Sequence, residues 1–151
     1  MRSLEDAKIV IWDLDGTFWN GVLSEEGAHF QKDMLQIVLE LAKFGIVSSI
    51  ASNNEFSAAK AFLEENDAWK YFVFPQIHWG QKSEMVRSIL SETRLRQQNA
   101  IFLDDKRRVR EEVSAAFPEL LSSATAEDFV AAFLDWSISV EYRDAALTRM
   151  Q

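Results

Sequence analysis

Acidic residues occur in two closely spaced pairs, and each pair directly follows a run of apolar residues. Asp13 and Asp15 follow one run, and Asp104 and Asp105 follow another. In an extended chain, residues two apart point to the same side, so the carboxylates of Asp13 and Asp15 face one site. Carboxylates this close repel one another, and Mg²⁺, which prefers oxygen ligands, relieves that repulsion. The two pairs therefore predict a magnesium site.

A hydroxyl and an amine complete a set of groups that suits phosphoryl transfer. Ser52 follows a further apolar run and offers a hydroxyl to a phosphoryl oxygen, while Lys82 offers a positive charge. A nucleophilic carboxylate, a second carboxylate, a hydroxyl, a lysine and an acidic pair for a metal can position and neutralise a phosphoryl group. Taken alone, Ser52 and Asn53 are equally well explained as caps of the helix that follows them.

The spacing of apolar residues predicts how the chain brings these groups together. Strands are predicted at 8–13, 47–51, 71–74 and 100–103, and helices at 33–44, 55–65, 83–93, 107–117 and 126–135. Strand–helix alternation with nearly continuous apolar strands is typical of a doubly wound, Rossmann-like α/β fold whose parallel sheet is covered on both faces. Ligands of such sheets sit beyond the carboxyl ends of the strands. We therefore expect Asp13, Ser52 and Asp104 to converge on one crevice.

Composition narrows the class of protein. The 151 residues carry a net charge of −8 and contain no cysteine, which excludes disulfides, thiolate metal sites and a cysteine nucleophile. We interpret 1–151 as a single domain, because no repeat, low-complexity tract or Pro/Gly linker divides it. The acidic balance predicts that nucleic acid is not a partner. Without a long apolar run, neither a signal peptide nor a membrane span is expected, so a cytoplasmic location is predicted.

The order and spacing of the motifs resemble the haloacid dehalogenase (HAD) superfamily. Asp13-Leu-Asp-Gly-Thr17 resembles its first motif, Ser52 the second, Lys82 the third and Leu103-Asp-Asp105 the fourth. The resemblance implies a HAD-like hydrolase, a magnesium-dependent phosphatase or phosphotransferase. In such an enzyme Asp13 attacks phosphorus and becomes an aspartyl phosphate. Asp15 protonates the leaving oxygen and later deprotonates the water that hydrolyses this intermediate.

The same resemblance assigns the binding residues. The residues implied to bind the substrate are Leu14, Thr17, Ser52, Asn53 and Lys82, of which the serine and the lysine hold phosphoryl oxygens. Mg²⁺ is implied to be bound by Asp13, by the main-chain carbonyl of Asp15 and by Asp104. Asp105 either binds the metal through water or orients the lysine, and the sequence leaves both roles open.

Longer stretches resemble subclass IIIC of the superfamily. Residues 12–27 and 77–84 resemble FkbH-like proteins of polyketide pathways. The residues Tyr71-Phe-Val73, together with Ile77, Gly80 and Lys82, resemble small magnesium-dependent phosphatases. FkbH-like function implies loading of a phosphoglycerate-derived glyceryl unit onto an acyl carrier protein, through a cysteine thioester. Ala51 occupies the place of that cysteine, and Lys106-Arg107 replaces the usual Asn-Pro. The main interpretation is therefore phosphate chemistry on a phosphorylated metabolite or carrier-tethered group, with carrier loading as the alternative.

The gaps between the motifs are too short for a full cap domain. Each gap is already filled by one or two predicted elements, which predicts a HAD-type core without a large cap and with 18–32 as a small flap. An open site suits a large or tethered substrate, and both a monomer and a homodimer are compatible with it. A signalling receiver domain also forms an aspartyl phosphate. In a receiver the acidic pair lies on the first strand and the phosphorylated aspartate comes later in the chain, whereas here the motif with Asp13 precedes the pair Asp104-Asp105.

A basic run follows the second acidic pair. Lys106, Arg107, Arg108 and Arg110 form it, at the start of a predicted helix. One interpretation is a solvated helix face with small contributions from pairs such as Arg107–Glu111. Cations at a helix start oppose the helix dipole, however, which favours a second interpretation in which the run meets an anionic substrate or an acidic carrier protein.

Overall fold

The computed structural model describes residues 4–25 and 27–150, which form a parallel sheet with helices on both faces. Residues 1–3, 26 and 151 belong to the predicted domain, and residue 26 also to the predicted flap, but they lie outside the described residues. The strands are β1 (Ile9–Trp12), β2 (Val47–Ser52), β3 (Gln76–Ile77), β4 (Ala100–Leu103) and β5 (Ser122–Ala124). The helices are α1 (Lys32–Lys43), α2 (Phe56–Glu65), α3 (Lys82–Thr93), α4 (Arg107–Ala116) and α5 (Ala126–Met150).

The strands follow the order β3-β2-β1-β4-β5, and each neighbouring pair is parallel. In the centre, Ile9 pairs with Val47 on one side and with Ala100 on the other. The chain fills the sheet outward from β1 to β3 and then crosses back to place β4 on the other side of β1. The strand order therefore reverses between β1 and β4, which is where a doubly wound sheet binds ligands. The predicted fold class is confirmed.

Side chains of β1 alternate between two apolar layers. Val10 and Trp12 face the layer formed with α1, α2 and α5, whereas Ile9 and Ile11 face the layer formed with α3 and α4. A strand covered on both faces has no polar side, which explains the unbroken apolar run that predicted it. The indole of Trp12 donates to Ser48 Oγ at 3.1 Å, so its one polar hydrogen is satisfied inside the core.

The third predicted strand, 71–74, is wrong. Its first residue ends a 3-10 helix, Phe72 forms a single bridge to Ser48, and Phe74 has a φ of 46°. A positive φ turns the chain out of the extended conformation, so a regular strand cannot continue through this position. Pairing with β2 resumes only at β3, two residues later.

The carboxyl-terminal part of the fold differs from prediction in two ways. The sequence predicts no strand at β5, because Ser-Ser-Ala has no apolar run, yet these residues pair with β4 at the sheet edge. The helix predicted over 126–135 extends to Met150 as α5. Beyond Phe133 none of its residues is buried, so the burial pattern that predicts a helix ends long before the helix does. Within the described ranges, no helix combines the length and apolarity needed to cross a membrane.

Candidate active site

The carboxyl ends of β1, β2 and β4 surround a cavity of about 610 Å³. Six of the predicted site residues line it: Asp13, Asp15, Asn53, Lys82, Asp104 and Asp105. The convergence follows from strand register, since Trp12 pairs with both Ile50 and Leu103 and the polar residues follow these partners. Side chains that are distant in the sequence therefore meet at one edge of the sheet.

A buried cluster of opposite charges forms the floor of this cavity. Lys82 Nζ lies 3.0 Å from Asp13 Oδ1 and 2.7 Å from Asp104 Oδ2. None of the three residues is more than 7% exposed. The lysine is the first residue of α3, so the rest of the helix, packed in the second core layer, anchors it. Removing one member of such a buried cluster leaves uncompensated charge, which makes its geometry strongly determined.

Burial changes the proton affinities of this cluster. Burial, together with the neighbouring charge of Asp104, raises the pKa of Asp13 to about 6, and Lys82 opposes the rise. Burial by itself lowers the pKa of Lys82, but the carboxylates of Asp13 and Asp104 outweigh it, so that pKa lies above its usual value. The lysine is therefore charged at neutral pH, while Asp13 takes up a proton more readily than an exposed aspartate does.

Three carboxylates of the cavity lie close enough together to hold one metal ion. One oxygen each from Asp13, Asp104 and Asp105 lies within 4.8 Å of the others. Burial and the charge of Asp104 raise the pKa of Asp105, as expected of crowded carboxylates. Gly16 has a φ of 74°, and a Cβ there would lie 2.6 Å from Asp105 Oδ2, so glycine is what allows this carboxylate its position. An all-oxygen set beside open space suits Mg²⁺, which fits the predicted cofactor.

The structure distinguishes the two roles that the sequence leaves open for Asp105, which are binding the metal and orienting Lys82. Lys82 bonds to Asp104 and Asp13, and among the described residues it forms no ion pair with Asp105. Asp105 is exposed and belongs to the carboxylate group that can hold a metal. The geometry therefore favours the metal role for Asp105. The predicted contribution of the Asp15 carbonyl to the metal stays a prediction.

Three hydrogen-bond donors hold the side chain of Asp15. Its Oδ1 accepts from Trp19 Nε1 at 2.8 Å and from the Leu23 amide at 3.0 Å, and its Oδ2 accepts from Asn54 Nδ2 at 3.0 Å. Asn54 also donates to Ser52 Oγ at 3.3 Å. The contacts fix one rotamer of the Asp15 carboxylate at the cavity wall.

The predicted substrate-binding residues do not all reach this cavity. Asn53 lines it, and its Oδ1 accepts from the Gly80 amide at 2.7 Å, which ties the loop before α3 to the end of β2. Ser52 is buried and is not part of the lining. The side chain of Leu14 is buried in the first core layer. Thr17 lines a separate cavity of about 480 Å³, which also touches Gly16.

Sequence reasoning missed two residues that contact Asp15. Asn54 follows β2 directly after Ser52 and Asn53, but the predicted site includes only those two neighbours. Trp19 is fully buried, and its contact with Asp15 depends on a turn in which the Trp19 amide bonds back to the Leu14 carbonyl. The signal for Asn54 was its position at a strand end; no sequence signal identifies Trp19.

The segment predicted as a flap forms part of the cavity wall. Asn20 and His29 pair in an antiparallel bridge, and a short 3-10 helix, Leu23–Glu25, lies between them. Gly21, Val22, Ser24 and Glu25 line the cavity. Within residues 4–25 and 27–150 no large cap domain is inserted, as predicted. Movement of this segment as a flap stays a prediction.

Comparisons with known proteins place the fold. No protein-family model matches the chain, and no curated protein sequence does. Solved structures do match. One is the N-terminal part of a Bacteroides fragilis protein that contains a phosphatase domain and is complexed with Mg, with 24% identity and a TM-score of 0.66. The match covers 78% of this chain and 35% of that one, so this chain spans about a third of that neighbour.

Two further neighbours have the same architecture. The cobalt-bound deoxy-D-mannose-octulosonate 8-phosphate phosphatase of Haemophilus influenzae is 19% identical with a TM-score of 0.62, over 80% of this chain and 70% of that one. A haloacid dehalogenase-like hydrolase of Streptococcus pneumoniae is 12% identical with a TM-score of 0.65, over 85% and 99%. At such identities the likeness establishes the fold. The chain therefore has the α/β fold of the haloacid dehalogenase-like hydrolases.

Proposed function

We propose that the chain is a Mg²⁺-dependent phosphatase that works through an aspartyl phosphate on Asp13. The observation that carries the proposal is the buried Asp13–Lys82–Asp104 cluster, with Asp105 beside it, at the floor of a cavity at the strand-order reversal. A buried charge cluster of this kind costs stability unless the groups are fully paired, so its presence at an open cavity favours a catalytic role. Phosphatases among the structural neighbours support the same chemistry.

The first step forms a bond between a carboxylate oxygen of Asp13 and phosphorus. The bond between phosphorus and the ester oxygen breaks, and Lys82 balances the negative charge that spreads over the phosphoryl oxygens. The lysine already contacts Asp13, so it needs no rearrangement to act there. In the second step water attacks phosphorus, the bond to Asp13 breaks, and inorganic phosphate leaves with the carboxylate restored.

Asp15 moves the protons in both steps. It donates one to the leaving ester oxygen and takes one from the attacking water. A carboxylate has about four acceptor positions, and Oδ1 already accepts two hydrogen bonds while Oδ2 accepts one. The open position is therefore on Oδ2, so we place the transferred proton on that atom.

The metal ligands in this proposal are Asp13, Asp104 and Asp105, whose oxygens are grouped closely enough to share one ion. Bound there, Mg²⁺ supplies positive charge to the phosphoryl group and offsets the mutual repulsion of the carboxylates. The contact of Asp104 Oδ1 with the Lys106 amide, at 2.9 Å, fixes that carboxylate before any metal binds.

The substrate we propose is a phosphorylated small molecule. One structural neighbour is named as a phosphatase of deoxy-D-mannose-octulosonate 8-phosphate, which is such a molecule. A cavity of about 610 Å³ accommodates a metabolite of a few carbon atoms beside the phosphoryl group. The absence of a large cap among the described residues supports a second candidate, a substrate tethered to an acyl carrier protein, as in FkbH-like proteins of subclass IIIC. Phosphate release that requires the carrier would identify the second candidate.

The first experiment measures hydrolysis of p-nitrophenyl phosphate with Mg²⁺ and with EDTA. We expect metal-dependent turnover that falls at least about a thousandfold in Asp13→Asn, since the nucleophile is lost. Asp135→Asn, an exposed aspartate of α5, is the matched control and keeps wild-type activity. Wild-type turnover in Asp13→Asn, or turnover that EDTA does not reduce, contradicts the mechanism.

A further inference from the structure

We propose that the cavity selects phosphate esters that carry a second anionic group, and that Lys106 and Arg108 bind that group. The inference rests on the proposed function in one respect, that the phosphoryl group binds at Asp13. It extends that function by naming the substrate class: a small molecule with a phosphomonoester at one end and a carboxylate or second phosphate at the other.

Both cations belong to the same cavity as the catalytic cluster. Lys106 and Arg108 line it together with Asp13 and Lys82, and both side chains are exposed. A ligand held at the floor can therefore extend to them without leaving the cavity. A cavity of about 610 Å³ exceeds what a single phosphoryl group fills, which leaves room for the rest of a substrate beside Lys106 and Arg108.

The other cations nearby already have partners. Lys82 contacts two aspartates, Arg107 Nε lies 2.9 Å from Glu111 Oε1, and Arg110 Nη1 donates to the Asp104 carbonyl at 2.9 Å. Within residues 4–25 and 27–150, neither Lys106 nor Arg108 forms an ion pair. The charge of Lys106 does act on the neighbouring Asp105, where it opposes the rise of that pKa, whereas the guanidinium of Arg108 has no carboxylate within ion-pair distance in the described part of the chain.

The acidic groups of the cavity form no salt bridge with Lys106 or Arg108 among the described residues. Asp13, Asp104 and Asp105 form the group for the metal, and Asp15 accepts three hydrogen bonds from neutral donors. Glu25 also lines the cavity, but no ion pair joins it to Lys106 or Arg108 in the described residues.

The position of these cations is unfavourable for the helix they begin. Lys106 is the N-cap of α4 and makes no side-chain capping bond, and the first turn holds no acidic residue. Cations at a helix amino terminus oppose its dipole, so fold stability does not explain the run. An anion bound by Lys106 and Arg108 removes the conflict, because it pairs with the cations and favours the same helix terminus.

An exposed tryptophan supports a small organic body between the two anionic ends. Trp79 lines the cavity and is 73% exposed, which is unusual for the largest apolar side chain. The bond from the Gly80 amide to Asn53 Oδ1 holds its loop. The carbon skeleton of a substrate can pack on this ring while its ends reach Lys82 and Arg108.

The test uses phosphate esters of ω-hydroxycarboxylic acids, with chains of two, three and four carbons, each matched with its carboxamide. Phosphate release with Mg²⁺ gives kcat and KM, and equilibrium binding to Mg²⁺-loaded Asp13→Asn gives affinity without turnover. An α,ω-alkanediol bisphosphate distinguishes a second phosphate from a carboxylate. We expect the anionic member of at least one pair to exceed its carboxamide about tenfold in kcat/KM.

Two variants separate the proposed contact from a general effect of charge. Arg108→Gln should remove most of that tenfold preference, mainly by raising KM for the anionic esters. Arg107→Gln removes an equal charge one residue away, at a side chain paired with Glu111 and absent from the cavity, and should retain the preference.

The outcomes distinguish this inference from the proposed function. Turnover of all esters without preference for an anionic end overturns the inference but still supports the proposed phosphatase activity. Equal losses of the anion preference in Arg107→Gln and Arg108→Gln also overturn it, since they indicate a general effect of positive charge and not a specific contact with Arg108. No turnover of any ester, with anion-dependent binding that Arg108→Gln removes, supports the subsite and contradicts the phosphatase.

Discussion

The floor and the rim of the cavity are built in opposite ways. On the floor, Asp13, Lys82 and Asp104 are buried and bonded to one another. On the rim, Lys106 and Arg108 are exposed and form no ion pair among the described residues. Both regions carry charge, and both lie at the carboxyl ends of the strands. They differ in that the floor balances its own charge, whereas on the rim we propose that a ligand does so.

Under the proposed function, the floor carries the reaction and the rim carries the specificity. Charges fixed by burial are oriented before a substrate arrives, so the floor needs little reorganisation to stabilise a phosphoryl group. Exposed side chains lose conformational freedom when they bind a ligand, so we expect the rim to contribute modestly, and only for ligands that carry a matching anion. Changes on the floor should therefore affect stability and every substrate, and changes on the rim should affect only some substrates.

Lys82→Met gives the largest expected effect on stability. The variant leaves the carboxylates of Asp13 and Asp104 buried without their cation, which costs about 3–5 kcal/mol of unfolding free energy. Activity on every substrate should fall about a hundredfold or more, because a charge that faces the phosphoryl group is lost. Urea unfolding in EDTA measures the first effect, and p-nitrophenyl phosphate turnover the second.

Lys8→Met is the matched control, because this lysine is exposed just before β1 and its loss should change stability by less than about 0.5 kcal/mol. A Lys82→Met protein as stable as the control in EDTA would mean that the floor is not held by charge pairing, and the contrast with the rim would fail.

The sequence predicted where the floor residues lie but not which residues hold Asp15, for a physical reason. Asp13, Lys82 and Asp104 each adjoin an element with a strong apolar pattern, so their positions follow from the sheet. The fold was predicted for the same reason, apart from β5 and the end of α5, where burial is slight and leaves no pattern. Asn54 and Trp19 act through turns whose geometry depends on individual hydrogen bonds, which spacing along the chain does not reveal.

The third strand shows the same limit. Apolar residues at 71–74 predict a strand because they are apolar, but Phe74 has a positive φ and pairing shifts to β3. Composition predicts that this segment is partly buried. It does not predict at which residue the chain turns, since that depends on contacts with β2, such as the bond from Ser49 Oγ to the Phe74 carbonyl.

The pH dependence of stability tests the burial of Asp13. Its pKa of about 6 lies above the ordinary value of 3.8, so the folded protein binds the proton more tightly than the unfolded chain. The resulting stability is complete below 3.8 and is lost as pH rises through about 6. In EDTA, the difference in unfolding free energy between Asp13→Asn and wild type should therefore shift in favour of the variant by up to about 3 kcal/mol as pH rises from about 4 to about 7.5, on top of a pH-independent cost of removing a partner of Lys82.

Urea unfolding of both proteins across this range measures the difference, and Asp135→Asn serves as the exposed control with no such trend. Mg²⁺ should reduce the difference at the upper end, because the metal binds the deprotonated carboxylate. A difference that stays constant with pH would show that Asp13 is solvated like the rim, and would remove the main distinction between the two regions.

Trp19→Phe gives the smallest expected effect and tests how Asp15 is held. The variant removes the indole donor to Oδ1 and keeps the Leu23 and Asn54 donors, so the carboxylate loosens without leaving the cavity wall. We expect kcat to fall about tenfold for an alkyl phosphate, whose leaving oxygen needs a proton. For p-nitrophenyl phosphate, whose leaving group departs without one, kcat should fall only about twofold.

Trp12→Phe is the matched control, since Trp12 is equally buried and its indole donates to Ser48, away from the cavity. Both variants lose a buried ring and a hydrogen bond, so both should lose similar unfolding free energy. Only Trp19→Phe should change the ratio of alkyl to aryl turnover, because only the Trp19 indole donates to Asp15, the proposed proton carrier. An equal ratio in the two variants would mean that Trp19 supports the fold and does not position Asp15, and the preorganised region would then end at Asp13, Lys82 and Asp104.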